Sequence, residues 1–226
     1  MKHLLQLIVL GMVLLPSACG DFYTFDESAA DRPESMTVPQ DTIWLMAGDT
    51  MALKVNFAPE GSDSLPVFWY TASTSDSCIG VSSDTLSAKH TGEADLVAVS
   101  GSGRLADTCH VVVFDRWKTS GLSHGQPSDM VVYAHISIGS QVWDPTMQQV
   151  VAVVRGQVAG LAELHEAHGT AYALLRIWSL DEEDVGTVSF LCYDRVRHRL
   201  YRAAQHPDFT ALSALGTLSS LYPINF

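Results

Sequence analysis

From Val38 onward the chain alternates apolar and polar side chains over short stretches, the period of strands with one face buried. Met51, Leu53, Val55 and Phe57 alternate with Ala52, Lys54 and Asn56, which predicts one half-buried strand. A turn cluster at Pro59–Asp63 follows, and then Val67, Trp69 and Thr71 form one face of a second strand. Further short strands are predicted at Ile79–Val81, Ala94–Val99 and Cys109–Val113, with Gly80, Gly92, Gly101 and Gly103 in or between them. That rhythm predicts a β-sandwich over 38–115, with Trp69 buried between its sheets near Val81, Val111 and Val113.

The stretch 116–128 carries Gly121, Gly125 and Pro127 without any period and reads as a linker, with Trp117 able to dock on a neighbour. A second β text then fills 129–226: MVVYAHISI, VVAVVRGQVAGLAEL, TAYALLRIWSL, GTVSFLCYD and HRLYRAA. Asp181–Gly186 and Asp194–His198 separate these stretches as turns. The second stretch has helical propensity from Ala162 to Ala167, but its β-branched start and Gly156 and Gly160 favour a strand pair. The expected fold class is therefore all-β, a sandwich followed by a second, sandwich-like β domain.

The N-terminal end follows a different pattern. Leu4–Leu15 is an apolar run of twelve residues broken by Gln6 and Gly11, well short of the roughly 20 residues that a spanning helix needs. It ends at the small residues Ser17 and Ala18, directly before Cys19. This order resembles the signal of bacterial lipoproteins, although Pro16 stands where that pattern has Leu. The resemblance implies that 1–18 is removed and that Cys19 carries lipid, making the membrane a partner and the cell envelope, at an outer membrane, the address. Ordinary cleavage after Ala18 would instead leave Cys19 a free thiol. Residues 19–37 are rich in acid, Ser and Ala and read as a flexible tether.

Charge and cysteine content narrow the function. A net charge of −12 repels phosphate backbones, which argues against a nucleic-acid partner. Apolar residues make up 47% of the chain, enough for substantial cores. In an exported protein a Cys78–Cys109 disulfide is chemically permitted, worth about 3 kcal/mol on the chain-entropy model. Cys192 alternates with Val188 and Phe190 and reads as a small buried apolar residue.

Gly48 to Leu53, Trp69, the Cys78–Val81 step, Ala88 to Gly92, and Val111 with Val113 appear in the order found in one family. Over about 38–115 the chain resembles the bacterial Ig-like domain, group 2, in a Bacteroidetes-type lipoprotein; Cys78 departs from the apolar residue usual there. The Met130–Ala134, Val150–Gly160, Phe190–Asp194 and Phe209…Gly216-Thr217…Pro223 elements of 129–226 resemble a C-terminal β module of exported proteins. Ala159-Gly160 replaces the Arg-Gly of that module. The first resemblance implies an Ig-like sandwich; the second supplies architecture and lineage without chemistry.

Catalytic and metal motifs are weak. His165-Glu166-Ala167-His168 places its second His one residue too early for the H-E-x-x-H zinc pattern. Asp181-Glu182-Glu183-Asp184 lacks the alternation of a calcium loop. Ser120, Ser123, His124 and Asp129 sit in irregular text without a G-x-S-x-G elbow. No metal, cofactor or catalytic residue is therefore assigned, and a non-enzyme is expected.

Aromatic residues are the stronger lead. Strand parity turns Tyr172, Arg176 and Trp178 outward, leaves Tyr193 outward when Cys192 is inward, and gives Tyr201 the parity of Arg199. Rings flanked by Arg suit stacking on sugars or burial in a protein interface, unless another sheet or the first domain covers them. The leading expectation is a non-catalytic binding or adhesion protein, with 38–115 as spacer and 129–226 as contact surface for a glycan or an envelope protein. An envelope hydrolase with its site in 129–226, and a structural subunit of a surface assembly or uptake complex, are the alternatives.

Overall fold

The structure, a computed structural model, describes residues 32–60, 62, 65–72, 78–118, 129–178 and 186–226, and contains strands but no helix among them. The first group comprises β1 (Ser35–Thr37), β2 (Thr42–Met46), β3 (Thr50–Ala52), β4 (Asn56–Ala58), β5 (Val67–Thr71), β6 (Ile79–Ser82), β7 (Thr85–Ala88), β8 (Gly92–Ser100) and β9 (Ala106–Phe114). A four-stranded sheet, β2-β9-β8-β5, faces a three-stranded sheet, β3-β7-β6. The alternation of β8 and β9 explains the packing: Ala94, Leu96, Ala98, Cys109, Val111 and Val113 point into one core with Ile43, Leu45, Ile79 and Leu86. Four strands against three around one core is the layout of an Ig-like β-sandwich.

Three expectations change here. The continuous strand at Met51–Phe57 is split into β3, which pairs with β7, and β4, which pairs with β1. Leu53 still plugs the core, so the inward alternation persists while the backbone changes partner. Ser35–Thr37, expected in the tether, forms β1, and Met36 is 5% exposed in the core because its register opposite Phe57 turns it inward. Trp69 packs against the core but is only half-buried, because β5 is the end strand of its sheet.

The Cys78–Cys109 disulfide is absent; both cysteines are free, buried thiols. Geometry accounts for this. A Cβ at Gly92 would lie 3.1 Å from the Cys78 Cβ, whereas Cys109 pairs with Leu96, four residues further along β8. Four residues of strand span about 13 Å, beyond the roughly 7 Å Cα separation that a disulfide tolerates. Burial pushes the Cys109 thiol up to about 11 and that of Cys192, in the second core, up to about 12.

The second group comprises β10 (Asp129–Ile138), β11 (Gln141–Val142), β12 (Gln148–Val154), β13 (Gln157–Ala167), β14 (Thr170–Trp178), β15 (Val188–Asp194), β16 (Arg199–Arg202), β17 (Ser213–Leu215) and β18 (Tyr222–Asn225). They form one nine-stranded sheet along β11-β10-β14-β13-β12-β15-β16, with β17 and β18 added in parallel to β10. Inward side chains from both ends of that path meet in one core: Val132, Ala134, Leu175 and Ile177 with Val150, Ala152, Phe190 and Cys192. The sheet is therefore curled onto itself as a sandwich.

Strand β13 makes the curl. Its first part pairs with β12 and its second with β14, and a register irregularity at Ala152/Val153 marks the change. At the bend a Cβ on Gly160 would lie 2.4 Å from the Arg176 carbonyl oxygen, so only glycine lets the two backbones approach. Val150–Leu164 is thus a strand pair, as its sequence suggests, turning at Arg155-Gly156 where both residues have positive φ.

Replacing Gly160 by Ala should lower unfolding stability by about 1–3 kcal/mol, the usual cost of overpacking. Urea denaturation checks this, and an unchanged midpoint would show that the bend has slack.

Candidate aromatic binding face and the junction that covers part of it

The outward face of β14 carries Tyr172, Leu174, Arg176 and Trp178, because Ala173, Leu175 and Ile177 are taken by the core. Register with β10 and β13 then sets their neighbours: Val131 opposite Arg176, Asp129 opposite Trp178, and His165 opposite Tyr172. Tyr172 stands at the centre of one cluster. Its ring lies 5.9 Å from that of Tyr133 and 5.8 Å from the His165 imidazole, the latter stacked at 24°. The His165 Nε2 is shielded from solvent without a hydrogen bond, and the Glu163 carboxylate is 3.5 Å away.

The second cluster holds Arg176. Its guanidinium sits 5.8 Å from the Trp178 ring centroid and its Nε lies 3.7 Å from Asp129 Oδ2. An indole ring and a carboxylate so flank the guanidinium on the outward face while its side chain remains largely exposed. The face offers half-buried ring surfaces, fixed hydrogen-bond donors and one carboxylate pair at its edges. Such a surface can stack on a flat, partly apolar ligand and bond its polar rim.

Of the five residues expected on this face, Tyr172, Arg176 and Trp178 share it. Tyr201 does not. The β15–β16 register sets it opposite Cys192, an inward position, so it packs against the second core. Tyr193 has the expected outward parity but is 0% exposed, because the first sandwich covers that end of the sheet. Tyr133 and His165 were not singled out as ring partners from sequence. Their parity was readable, but only the registers of β10 and β13 with β14 bring them to Tyr172.

The cover over Tyr193 is a compact junction. Phe114 meets its ring edge-on at 5.1 Å and 88°. Its hydroxyl donates to Asp49 Oδ2 at 3.4 Å and lies 3.3 Å from His198 Nδ1. The Trp44 N–H donates to the His198 carbonyl, and the Gln40 amide donates to the Arg197 carbonyl, each at 2.9 Å. The presenting turn, Arg195–His198, is shaped by buried Asp194, whose Oδ1 accepts the N–H groups of Val196 and Arg197 and whose Oδ2 accepts from the Arg197 guanidinium. Burial alone would raise the Asp194 pKa; those donors outweigh it and hold the carboxyl below its usual range. Arg116, in the expected linker, is also docked, donating to Asp49 Oδ1 at 2.8 Å.

Several candidate residues fall outside the described part of the chain: Cys19, Ser120, Ser123 with His124, and Asp181–Asp184. Among the described residues no group of three or more His, Cys, Asp or Glu side chains is arranged to hold a metal.

No protein-family model matches the chain, and no curated protein matches it. Among solved structures it is similar to domains 4–9 of the surface layer protein SbsC, at 11% identity and TM-score 0.30, covering 83% of this chain and 32% of that one. Domains 5–6 of the same S-layer protein align at 11% identity and TM-score 0.29, covering 82% and 99%. A Bacteroides ovatus protein, SGBP-B of a mixed-linkage glucan utilization locus, solved with a mixed-linkage heptasaccharide, aligns at 15% identity and TM-score 0.23, covering 76% and 43%. The chain thus spans about a third of the first of these structures.

Burial holds the His198 imidazole below its usual value, against the opposing charges of Asp49 and Asp194. The unfolded chain therefore binds a proton near pH ~6.5 that the folded chain refuses. Stability should rise with pH up to that value and be lost as pH falls beneath it. Thermal melts should show wild type losing more stability on mild acidification than His198→Gln. His110, shifted upward mainly by its hydrogen bond to Asp95, is common to both proteins and cancels. Parallel pH profiles would remove His198 from the junction's energetics.

Proposed function

We propose that this chain is a lipid-anchored cell-envelope protein that binds a glycan without catalysis. In this reading the chain has two domains. The Ig-like sandwich stands nearer the membrane as a spacer, and the C-terminal domain presents the contact surface. The observation that carries it is the outward face of β14, where Tyr172, Tyr133 and His165 adjoin the Arg176–Trp178 pair. Half-buried rings have fixed positions, so stacking on them costs little side-chain entropy, and Arg176 supplies several donors to hydroxyl groups. The membrane link rests on Cys19 after its apolar leader, and it sets the address as an outer-membrane lipoprotein.

Trp178→Ala should weaken glycan binding at least tenfold, about 1.4 kcal/mol, while the protein stays folded with only a modest fall in thermal midpoint, since the ring is half-buried. A glycan array followed by titration calorimetry measures both the ligand and the loss. If the face captures an envelope protein while ignoring every glycan, the ligand class is wrong; if glycans are cleaved on incubation, the non-catalytic reading fails.

For the anchor, Cys19→Ala should move the protein from the detergent phase to the aqueous phase in a phase-partition assay. Retention in the detergent phase would refute lipidation at Cys19.

A further inference from the structure

The first sandwich also has an outward sheet face, and its side chains are graded along the strands. At the end nearest the C-terminal strands stand Trp44, Met46 and Phe114, the β2–β9 register setting Met46 opposite Phe114 and Trp44 opposite Val112. Next come Glu93, Asp95 and His110. At the far end Phe68 and Tyr70 project from β5 and are 52% and 53% exposed. Their β8 partners on the same face are Val99 and Val97. Residues two apart on a strand share a face at about 6.7 Å, so the two rings form one continuous apolar platform.

A shallow, open depression of about 260 Å³, called the cleft below, lies alongside and is lined by Ala72, Glu93, Ala94, Asp95 and His110. Ala72 follows Tyr70 by two residues and is tied to β8 through its N–H on the Asp95 carbonyl at 3.0 Å. His110 is held between the carboxylates, its Nδ1 2.9 Å from Asp95 Oδ1 and its Nε2 3.5 Å from Glu93 Oε2. The remaining carboxylate oxygens are acceptors at the cleft wall, with the ring platform one step away.

Size and charge decide what fits. A fully buried aromatic side chain covers about 150–250 Å², so the exposed halves of Phe68 and Tyr70 offer roughly 200 Å² together. A stable protein partner, including a second copy of this chain, needs about 800 Å² per side, and two copies of a chain of net charge −12 repel one another. A single flat ring or short chain of rings matches the platform. Its polar edges must donate hydrogen bonds to Glu93 and Asp95, and it cannot be anionic.

We propose that Phe68, Tyr70 and the Glu93–Asp95–His110 cleft form a second carbohydrate site, specific for neutral sugars, on the sandwich otherwise assigned a spacer role. A pyranose stacks its C–H face on Tyr70 and Phe68 and directs hydroxyls to the carboxylates. This site is independent of the β14 face and gives the chain two points of contact with one polysaccharide or with two.

The test uses the full chain carrying Trp178→Ala, so that contact at β14 is already weakened. It is titrated with neutral gluco-, manno- and xylo-hexasaccharides and with a galacturonate hexasaccharide, followed by amide chemical shifts and calorimetry. Shifts confined to β5, β8 and the cleft with the neutral sugars are expected. A further Tyr70→Ala change should weaken binding at least tenfold, Asp95→Asn several-fold, and Tyr70→Trp should retain it, since a flat ring remains. Both rings being exposed, the thermal midpoint should stay constant. Absence of shifts at β5 and β8 with every neutral sugar at millimolar concentration overturns the proposal. So does a preference for the galacturonate, or a Tyr70→Ala effect seen only as lost self-association. Shifts at β14 in the otherwise unchanged chain report separately on the other face.

Discussion

The close passage of the Gly160 backbone against the Arg176 carbonyl sets the form of the C-terminal half. Strand β13 leaves β12 and joins β14 at that point, and the sheet turns far enough for its two ends to share a core. The contact has a second effect. Arg176 lies on β14 where the strands approach, so the backbone that carries the outward guanidinium and the neighbouring Trp178 is fixed from behind. A side chain at position 160 would separate these strands and loosen the platform with the same movement. Fold and candidate face therefore depend on one missing Cβ.

The junction places a related constraint on the other end of that sheet. Asp194 gives up its solvation to shape the Arg195–His198 turn, and the turn supplies two backbone carbonyls to Trp44 and Gln40. Burying Tyr193 there removes an aromatic from the outward face but joins the two sandwiches through a ring and its hydroxyl. The donors on Asp194 matter most, because an unpaired buried carboxylate would cost several kcal/mol.

Alternation along the chain was enough to read the all-β class and the inward residues of β9, β14 and β15. Partner choice was not readable in this way. Met51 to Phe57 alternates without a break, yet nothing local shows that the backbone leaves β7 for β1 within it. Tyr201 has the parity of an exposed arginine, and only its register opposite Cys192 turns it inward. Cys78 and Cys109 both face the core, but their separation along β8 depends on strand pairing. For the candidate face, side-chain direction on β14 was legible from residues 172–178 alone. The burial of Tyr193 was not, since it arises from residues more than seventy positions earlier. Phe68 and Tyr70 were legible only as the polar-side parity of a strand whose Trp69 was taken for the sealed centre of a core.

The parallel pairing of β2 with β9 has a mechanical meaning. Five residue pairs, from Thr42–His110 to Met46–Phe114, hold the first long strand of the sandwich to its last. A chain tethered at its N-terminal end and held at its C-terminal half would pull β2 backward from Thr42 and β9 forward from Phe114. Strands that run in the same direction and are drawn toward opposite ends are loaded in shear, so all five pairs resist together rather than opening one after another. Under tension applied in that way, the five pairs of the β2–β9 ladder would have to break together.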